Sequence, residues 1–188
     1  MADELDAILV RAFQFRVSLL RSKVVEAGSP DTPSPSAKPT GDPLGKGGFQ
    51  ECSGLDIEME IADYPEGGRN DGVIRRVGRA KYQPLILKRG MFMVPEPTTP
   101  GRAPAGGTAD RQLWEWLQGV VSGIRPVVRY DGIVEVTDGT QAQNVVATWV
   151  FDRGLPQKVS GPQLNAKTGD VAIEELHIAH EGLRLVPG

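Results

Sequence analysis

Leu55-Asp56-Ile57-Glu58-Met59-Glu60-Ile61-Ala62-Asp63-Tyr64, followed by Pro65-Glu66-Gly67-Gly68-Arg69-Asn70-Asp71-Gly72, is the stretch from which the fold is read. Leu55, Ile57, Met59 and Ile61 fall on one side of an extended chain, and Asp56, Glu58 and Glu60 on the other. Alternation with a period of two predicts a half-buried strand. The loop after it is rich in residues that tolerate positive φ. A long strand with one acidic face and a charged glycine loop suits a sheet that shows surface to partners, and it does not suit a catalytic cleft.

The flanking segments repeat the strand signature. Phe13, Phe15, Val17 and Leu19 alternate with Gln14, Arg16 and Ser18, which predicts a strand with an aromatic inward face. Strands are also expected at 73–77 and 83–90, where consecutive Leu85, Ile86 and Leu87 predict cover on both faces. A hairpin follows, from Val128, Tyr130, Val134 and Val136 through the Asp138-Gly139 turn to residues 145–151. In 171–185 the apolar parity slips: Val171 and Ile173 are odd, Leu176 and Ile178 even, Leu183 and Leu185 odd. That predicts a bulge near Glu174-Glu175 and an irregularity near Gly182. One helix is expected, capped by Thr108 or Asp110, striped by Leu113, Trp114, Leu117, Val120 and Val121, and closed by Gly123. The first residues carry helically spaced Leu5, Ile8 and Leu9. Seven or eight strands and one helix predict a mainly β chain, an antiparallel sandwich or rolled barrel. It reads as a single domain, 1–188, with proline-rich loop insertions at 27–47 and 94–108.

Composition narrows the function classes. A formal net charge of −3 gives no bulk positive charge for binding nucleic acid. The single cysteine, Cys52, rules out an intramolecular disulfide framework. No apolar run approaches the roughly 20 residues that span a bilayer. Asp3, Glu4 and Asp6 precede the first apolar run, the wrong charge for a secretory signal. The expectation is a chain made in the cytoplasm, without a membrane anchor.

Catalytic constellations are missing. His177 and His180, at i and i+3, point to opposite faces of a strand and make a poor metal pair. Glu174 and Glu175 point apart in the same way. Gly45-Lys46-Gly47-Gly48 leads into a strand, without the helix N-terminus that a phosphate loop needs. Cys52 has no histidine partner in sequence. Arg75, Arg76, Arg79 and Lys81 lie near acidic Glu58, Glu60 and Glu66 in sequence, so a solvated or subunit-contacting face outweighs nucleic-acid binding. Trp114, Trp116 and Trp149 read as core or interface. No enzyme, metal or cofactor is expected. A stand-alone β-sandwich ligand-binding module is an alternative that the residues alone leave open.

Taken together, the motifs resemble a family. They are Phe49-Gln50-Glu51-Cys52-Ser53-Gly54-Leu55, Glu66-Gly67-Gly68-Arg69-Asn70, and Lys81-Tyr82-Gln83-Pro84-Leu85-Ile86-Leu87-Lys88-Arg89-Gly90. Leu113-Trp114-Glu115-Trp116-Leu117, Gly161-Pro162-Gln163-Leu164-Asn165-Ala166 and the run from Ala172 to Leu183 complete the set. In this order they resemble the inner tail-tube protein of contractile phage tails and of phage-tail-like contractile injection systems. The resemblance implies a homohexameric ring whose β-strands line a channel, rings stacked into a tube, and effector cargo able to travel inside. It also implies sheath, baseplate, hub or spike proteins as partners. The two long loops depart from a plain tube subunit and suit a baseplate-proximal initiator. Under this resemblance, ring contacts are expected at Glu66, Gly67, Gly68, Arg69, Asn70, Lys88, Arg89 and Trp116. Asp56, Glu58 and Glu60 are candidates for the channel wall.

Overall fold

A computed structural model describes residues 14–23, 38–45, 48–65, 67–68, 71–95, 107–138, 140, 143–167 and 169–186. Most of the chain's strands share a seven-stranded antiparallel sheet that rolls on itself. Its order is β1 (Phe15–Arg21), β8 (Tyr130–Thr137), β9 (Val145–Ser160), β10 (Ile173–Ala179), β5 (Leu85–Gly90) and β2 (Glu51–Ser53), with β11 (Gly182–Val186) also on β9. β9 makes the corner. Its first part, around 148–152, pairs with β8 and β11, and its last part, around 155–160, pairs with β10. This strand runs well past the 145–151 that alternation predicts, because Pro156 sits in the ladder opposite Ile178 at a register shift. Two strand positions in this corner, one on β8 and one on β9, need bare glycine. A Cβ on Gly132 would stand 1.9 Å from the Phe151 ring, and one on Gly154 would stand 2.7 Å from Ile178.

The two sheet halves enclose a core of Leu19, Leu85, Leu87, Leu113, Trp116, Phe151, Leu176, Ile178 and Leu183. Fully burying such side chains contributes about 1.5–3 kcal/mol each. The helix α1 (Gln112–Val121) closes the open end. The N-cap position falls on Arg111, not on Thr108 or Asp110, and carries no side-chain cap bond; Asp110, one residue earlier, accepts the Gln112 N–H through Oδ1 at 3.1 Å, and Gly123 takes a φ of +76° just past the end. The buried face of the helix is rotated from the expected stripe. Leu113 and Trp116 are buried, while Val121 is 79% exposed. Trp116 is drawn inward because its ring N–H finds the Val128 carbonyl at 2.9 Å and its face meets Tyr130 edge-on.

The expected bulge at Glu174-Glu175 is not there. Glu174 continues the inward face of Leu176 and Ile178, and the irregularity on β10 comes later, between His177 and Ile178. The apparent parity slip arises because a buried carboxylate occupies an inward position. The break near Gly182 is real: there the chain leaves β10 and crosses to β11. Ile86 is half-buried on the outer side of β5, so that strand is fully covered on its inner face only.

β3 (Ile57–Tyr64) and β4 (Ile74–Tyr82) form a separate two-stranded sheet. They continue β2 and β5 beyond a bend at Gly54, whose φ is +86° and where a Cβ would lie 2.2 Å from the Pro84 carbonyl oxygen. Every residue of both strands is exposed. The half-burial that the alternation predicts therefore does not exist within one chain. A third two-stranded piece joins β6 (Met93–Pro95) to β7 (Gly107–Ala109) ahead of the helix.

Candidate assembly surface

The hairpin has two unlike faces. Directly opposed residues of an antiparallel pair share a face. Ile57 lies across from Tyr82, Met59 from Ala80 and Ile61 from Val77, so one face is apolar. Glu58 faces Lys81 and Ala62 faces Arg76, which puts these charges on the other face, while the Asp63–Arg75 pair ends the apolar face at the tip. A register shift between Met59 and Ile61, at Gly78 and Arg79 of β4, keeps the apolar residues of both strands in phase. Without it, Val77 would turn to the charged side. A Cβ on Gly78 would stand 2.8 Å from the Glu60 carbonyl oxygen, so glycine is required there.

The apolar face is large and uncovered. Ile57 is 56% exposed, Ile61 53% and Val77 75%. Contiguous apolar surface of this kind marks an interaction site. Among the described residues both outer edges of the hairpin also lack a strand neighbour, which leaves rows of backbone donors and acceptors open to pairing. At the tip, Asp63 and Arg75 approach to 3.7 Å and the Arg76 guanidinium stacks over the Tyr64 ring at 4.5 Å.

Tyr82, at the base of the apolar face, packs on His180 of the body with ring centroids 5.4 Å apart. The apolar face is thus the extension of the core side of the sheet, and the charged face extends its outer side. On that outer side Glu51, Lys88, Glu175 and Ser160 stand in one row across four strands. Lys88 Nζ lies 3.0 Å from Glu51, and His177 and Lys158 flank Glu175. The Glu51 hydrogen bond raises the Lys88 pKa, and the His177 hydrogen bond lowers that of Glu175. The surface is a mixture of both signs.

Behind it lies the buried charge cluster that fixes the helix to the sheet. Arg89, 1% exposed, holds Glu174 at 2.6 Å and Asp110 at 3.2 Å, and Trp114 donates its ring N–H to Glu174 at 3.1 Å. Such a cluster orients elements with directional bonds. Arg89 therefore does not serve as the expected ring contact; its side chain is spent inside the subunit. Trp116, 6% exposed, is likewise interior. Lys88 is on the surface, held by Glu51. Gly67 and Gly68 lie exposed at the hairpin tip. Glu66, Arg69 and Asn70 lie outside the described residues, as do most of the 27–47 and 94–108 stretches. Asp56 precedes β3 and is exposed, and Glu58 and Glu60 belong to the charged face. The sequence did not reveal the Arg89–Glu174–Asp110 cluster, although a glutamate that breaks an inward apolar parity was its signal.

Burial pushes the Cys52 thiol up to about 12, which leaves it inert as a nucleophile. Among the described residues no group of three or more histidine, cysteine, aspartate or glutamate side chains could hold a metal ion, and no helix is long and apolar enough to cross a membrane.

A rolled antiparallel sandwich with a projecting, uncovered hairpin defines a subunit that other chains complete. The chain belongs to the T4-like virus tail tube protein gp19 family, which it matches over residues 11–99 and 102–184. It is a structural subunit of the tail-tube class. Its fold is shared with a chain of the anti-feeding prophage baseplate, at 18% identity, TM-score 0.66, and coverage of 96% of this chain and 97% of that one. A chain of the sheath–tube complex of an extracellular contractile injection system, in its extended state, matches at 18% identity, TM-score 0.64, and coverage of 96% and 93%. A chain of the anti-feeding prophage tube-terminating cap matches at 17% identity and TM-score 0.60 over 100% of both chains. No curated protein sequence matches the chain significantly.

Proposed function

We propose that copies of this chain close into hexameric rings that stack into the inner tube of a contractile injection particle or phage tail. The observation that carries this is the hairpin: an exposed apolar face and, among the described residues, two edges without a strand neighbour, on an otherwise well-packed subunit. A second copy supplies the cover. Pairing the free edge of β3 with the free edge of β4 in the next copy is a head-to-tail contact, and such contacts close into rings by rotation. Closure removes the edges that would otherwise template uncontrolled pairing. Charge supports this pairing, since Glu58 and Glu60 on β3 would approach Arg76 and Lys81 on β4. Six-fold order is in keeping with the similarly folded anti-feeding prophage baseplate chain, whose structure is six-fold symmetrised.

In this ring the apolar hairpin face packs on neighbouring copies, and the charged face, with Glu51, Lys88, Glu175 and Lys158, lines the channel. The wall that follows has alternating sign. It differs from the acidic wall suggested by Asp56, Glu58 and Glu60 alone, because β4 places Lys81 and Arg76 beside them. A wall without strong net charge gives a passing cargo few places to bind tightly. The role is architectural and not catalytic. Sheath and baseplate components are the partners this reading assigns, and the two long proline-rich stretches favour the baseplate-proximal initiator position.

Electron microscopy of the purified full chain tests the reading. Rings or stacked tubes are expected; rings that do not polymerise alone would identify the initiator. Monodisperse monomers across a wide concentration range would refute the assembly and favour the ligand-binding module.

A further inference from the structure

Hairpin and body meet at a narrow seam, and an imidazole closes it. The chain crosses the seam twice, at 54–56 between β2 and β3 and at 83–84 between β4 and β5. At the first crossing Gly54 lies directly against the Pro84 backbone of the second. The ladder of β2 with β5 ends at Ser53 and Ile86, and that of β3 with β4 begins at Ile57 and Tyr82. Two short connections between two separate ladders make the geometry of a hinge.

His180, just past β10, is wedged across it. Its ring centroid stands 5.4 Å from that of Tyr82 on the hairpin and 5.5 Å from that of Phe151, which is fully buried in the body. Both ring nitrogens are closed off from solvent, and no group among the described residues meets either in hydrogen-bond geometry. The charged neighbours are engaged elsewhere. Asp152 of β9 is bonded to Arg184 of β11, Glu181 holds Arg129 and Arg153, and Lys81, next to Tyr82, faces Glu58 on the opposite side of the hairpin. Burial, the largest cause, lowers the His180 pKa, against the Gly182 and Gln83 backbone and the Asp152 carboxylate, which favour the charged ring. Gln83 belongs to the second crossing itself. The other histidine, His177, is held by Glu175 on the outer side of the sheet.

We propose that His180 is a proton-operated latch between the hairpin and the body. Neutral, the ring holds Tyr82, and with it the whole hairpin, at a fixed angle; protonated, it leaves the seam, and the hairpin turns about 54–56 and 83–84. The latch rests on the assembly proposed above, in which the apolar face meets the next copy only at that angle. Closed, the seam denies the charged ring both water and hydrogen bonds. A falling pH therefore shifts the population toward the open seam, where the charge is hydrated. The effect in one copy is repeated at every seam of a closed ring, so assembly responds before the body unfolds.

The test follows the assembled full-length chain from pH 8 to pH 5 by light scattering and electron microscopy, with tryptophan fluorescence reporting the body. Rings or tubes are expected to dissolve below about pH 6 while the fluorescence keeps its folded value. His180→Phe, which keeps an aromatic ring in the seam without a titrating nitrogen, should hold them together to about one pH unit lower. Hydrogen exchange on the wild-type assembly needs no variant: corrected for intrinsic rates, residues 57–59 and 80–82 should exchange about tenfold faster at pH 5.5 than at pH 7.5, with 87–89 unchanged. Assemblies that persist to pH 5, an equal acid loss in His180→Phe, or a body that unfolds at the same pH would overturn the latch while leaving the rings standing. A chain that light scattering finds monomeric at pH 8 would overturn the rings and the latch together.

Discussion

Leu85, Leu87, Leu176 and Ile178 in the body have no exposed surface, whereas Ile57, Met59, Ile61 and Val77 in the hairpin keep between 45% and 75% of theirs. The hairpin is consecutive with the β2–β5 part of the body, β2 leading into β3 and β4 into β5. They differ in what lies across from their apolar face. In the body it is the other half of the rolled sheet and the helix. In the hairpin no described residue of the same chain covers that face. The lesson is that alternation reports that a face is to be buried, without saying whose atoms will bury it.

The comparison can be broken from the body first. Arg89→Met strands Glu174 and Asp110 in a buried site, and removal of one partner from such a cluster costs about 3–5 kcal/mol. Denaturant unfolding should show this loss in the single chain whether or not it assembles. Leu176→Ala opens a cavity at a site with no exposed surface and should cost about 2–5 kcal/mol by the same measurement. In the hairpin the ordering reverses. Ile61→Ser with Val77→Ser should change the unfolding free energy of the monomer by no more than about 0.5 kcal/mol per site, yet abolish rings and tubes in micrographs. Should this pair unfold the monomer instead, the hairpin belongs to the body's core and the contrast is lost.

The smallest effect lies where the regions join. His180 sits between Tyr82 and Phe151, and burial, the largest cause, lowers its pKa from the usual 6.5. The unfolded chain therefore takes up the proton first as the pH falls. Stability from this ring is complete above about pH 6.5 and is lost progressively as the pH falls through the lowered folded value. Urea unfolding at stepped pH between 8 and 5 should show the decline, and His180→Phe should flatten it.

Much of the fold was legible because local chemistry wrote it. Period-two runs mark β1, β3 and β8, a continuous apolar run marks β5, Gly123 ends the helix, and Asp138 turns the hairpin between β8 and β9. The misreadings share a cause. Glu174 stands inward among Leu176 and Ile178, so a parity count sees a slip where the backbone is regular, and Arg89 looks like a surface contact because its two carboxylates come from residues 110 and 174. Trp116 reads as an interface residue in sequence because its hydrogen-bond acceptor, the Val128 carbonyl, lies beyond the end of the helix. For the proposed assembly surface, the sequence pointed to β3 and assigned its charged face from that strand alone.

By itself the sequence determined the strand-rich class, the helix after residue 110, the family resemblance and the two-faced character of residues 55–64. These are properties of neighbours in the chain, carried by steric preference and by the period of side chains along it. Only the tertiary structure decided that Glu174, Arg89 and Asp110 meet, that Lys81 and Arg76 neutralise the acidic face, and that the hairpin leaves the body uncovered. Those outcomes depend on register and on which surfaces come together in space, and no window of consecutive residues contains them.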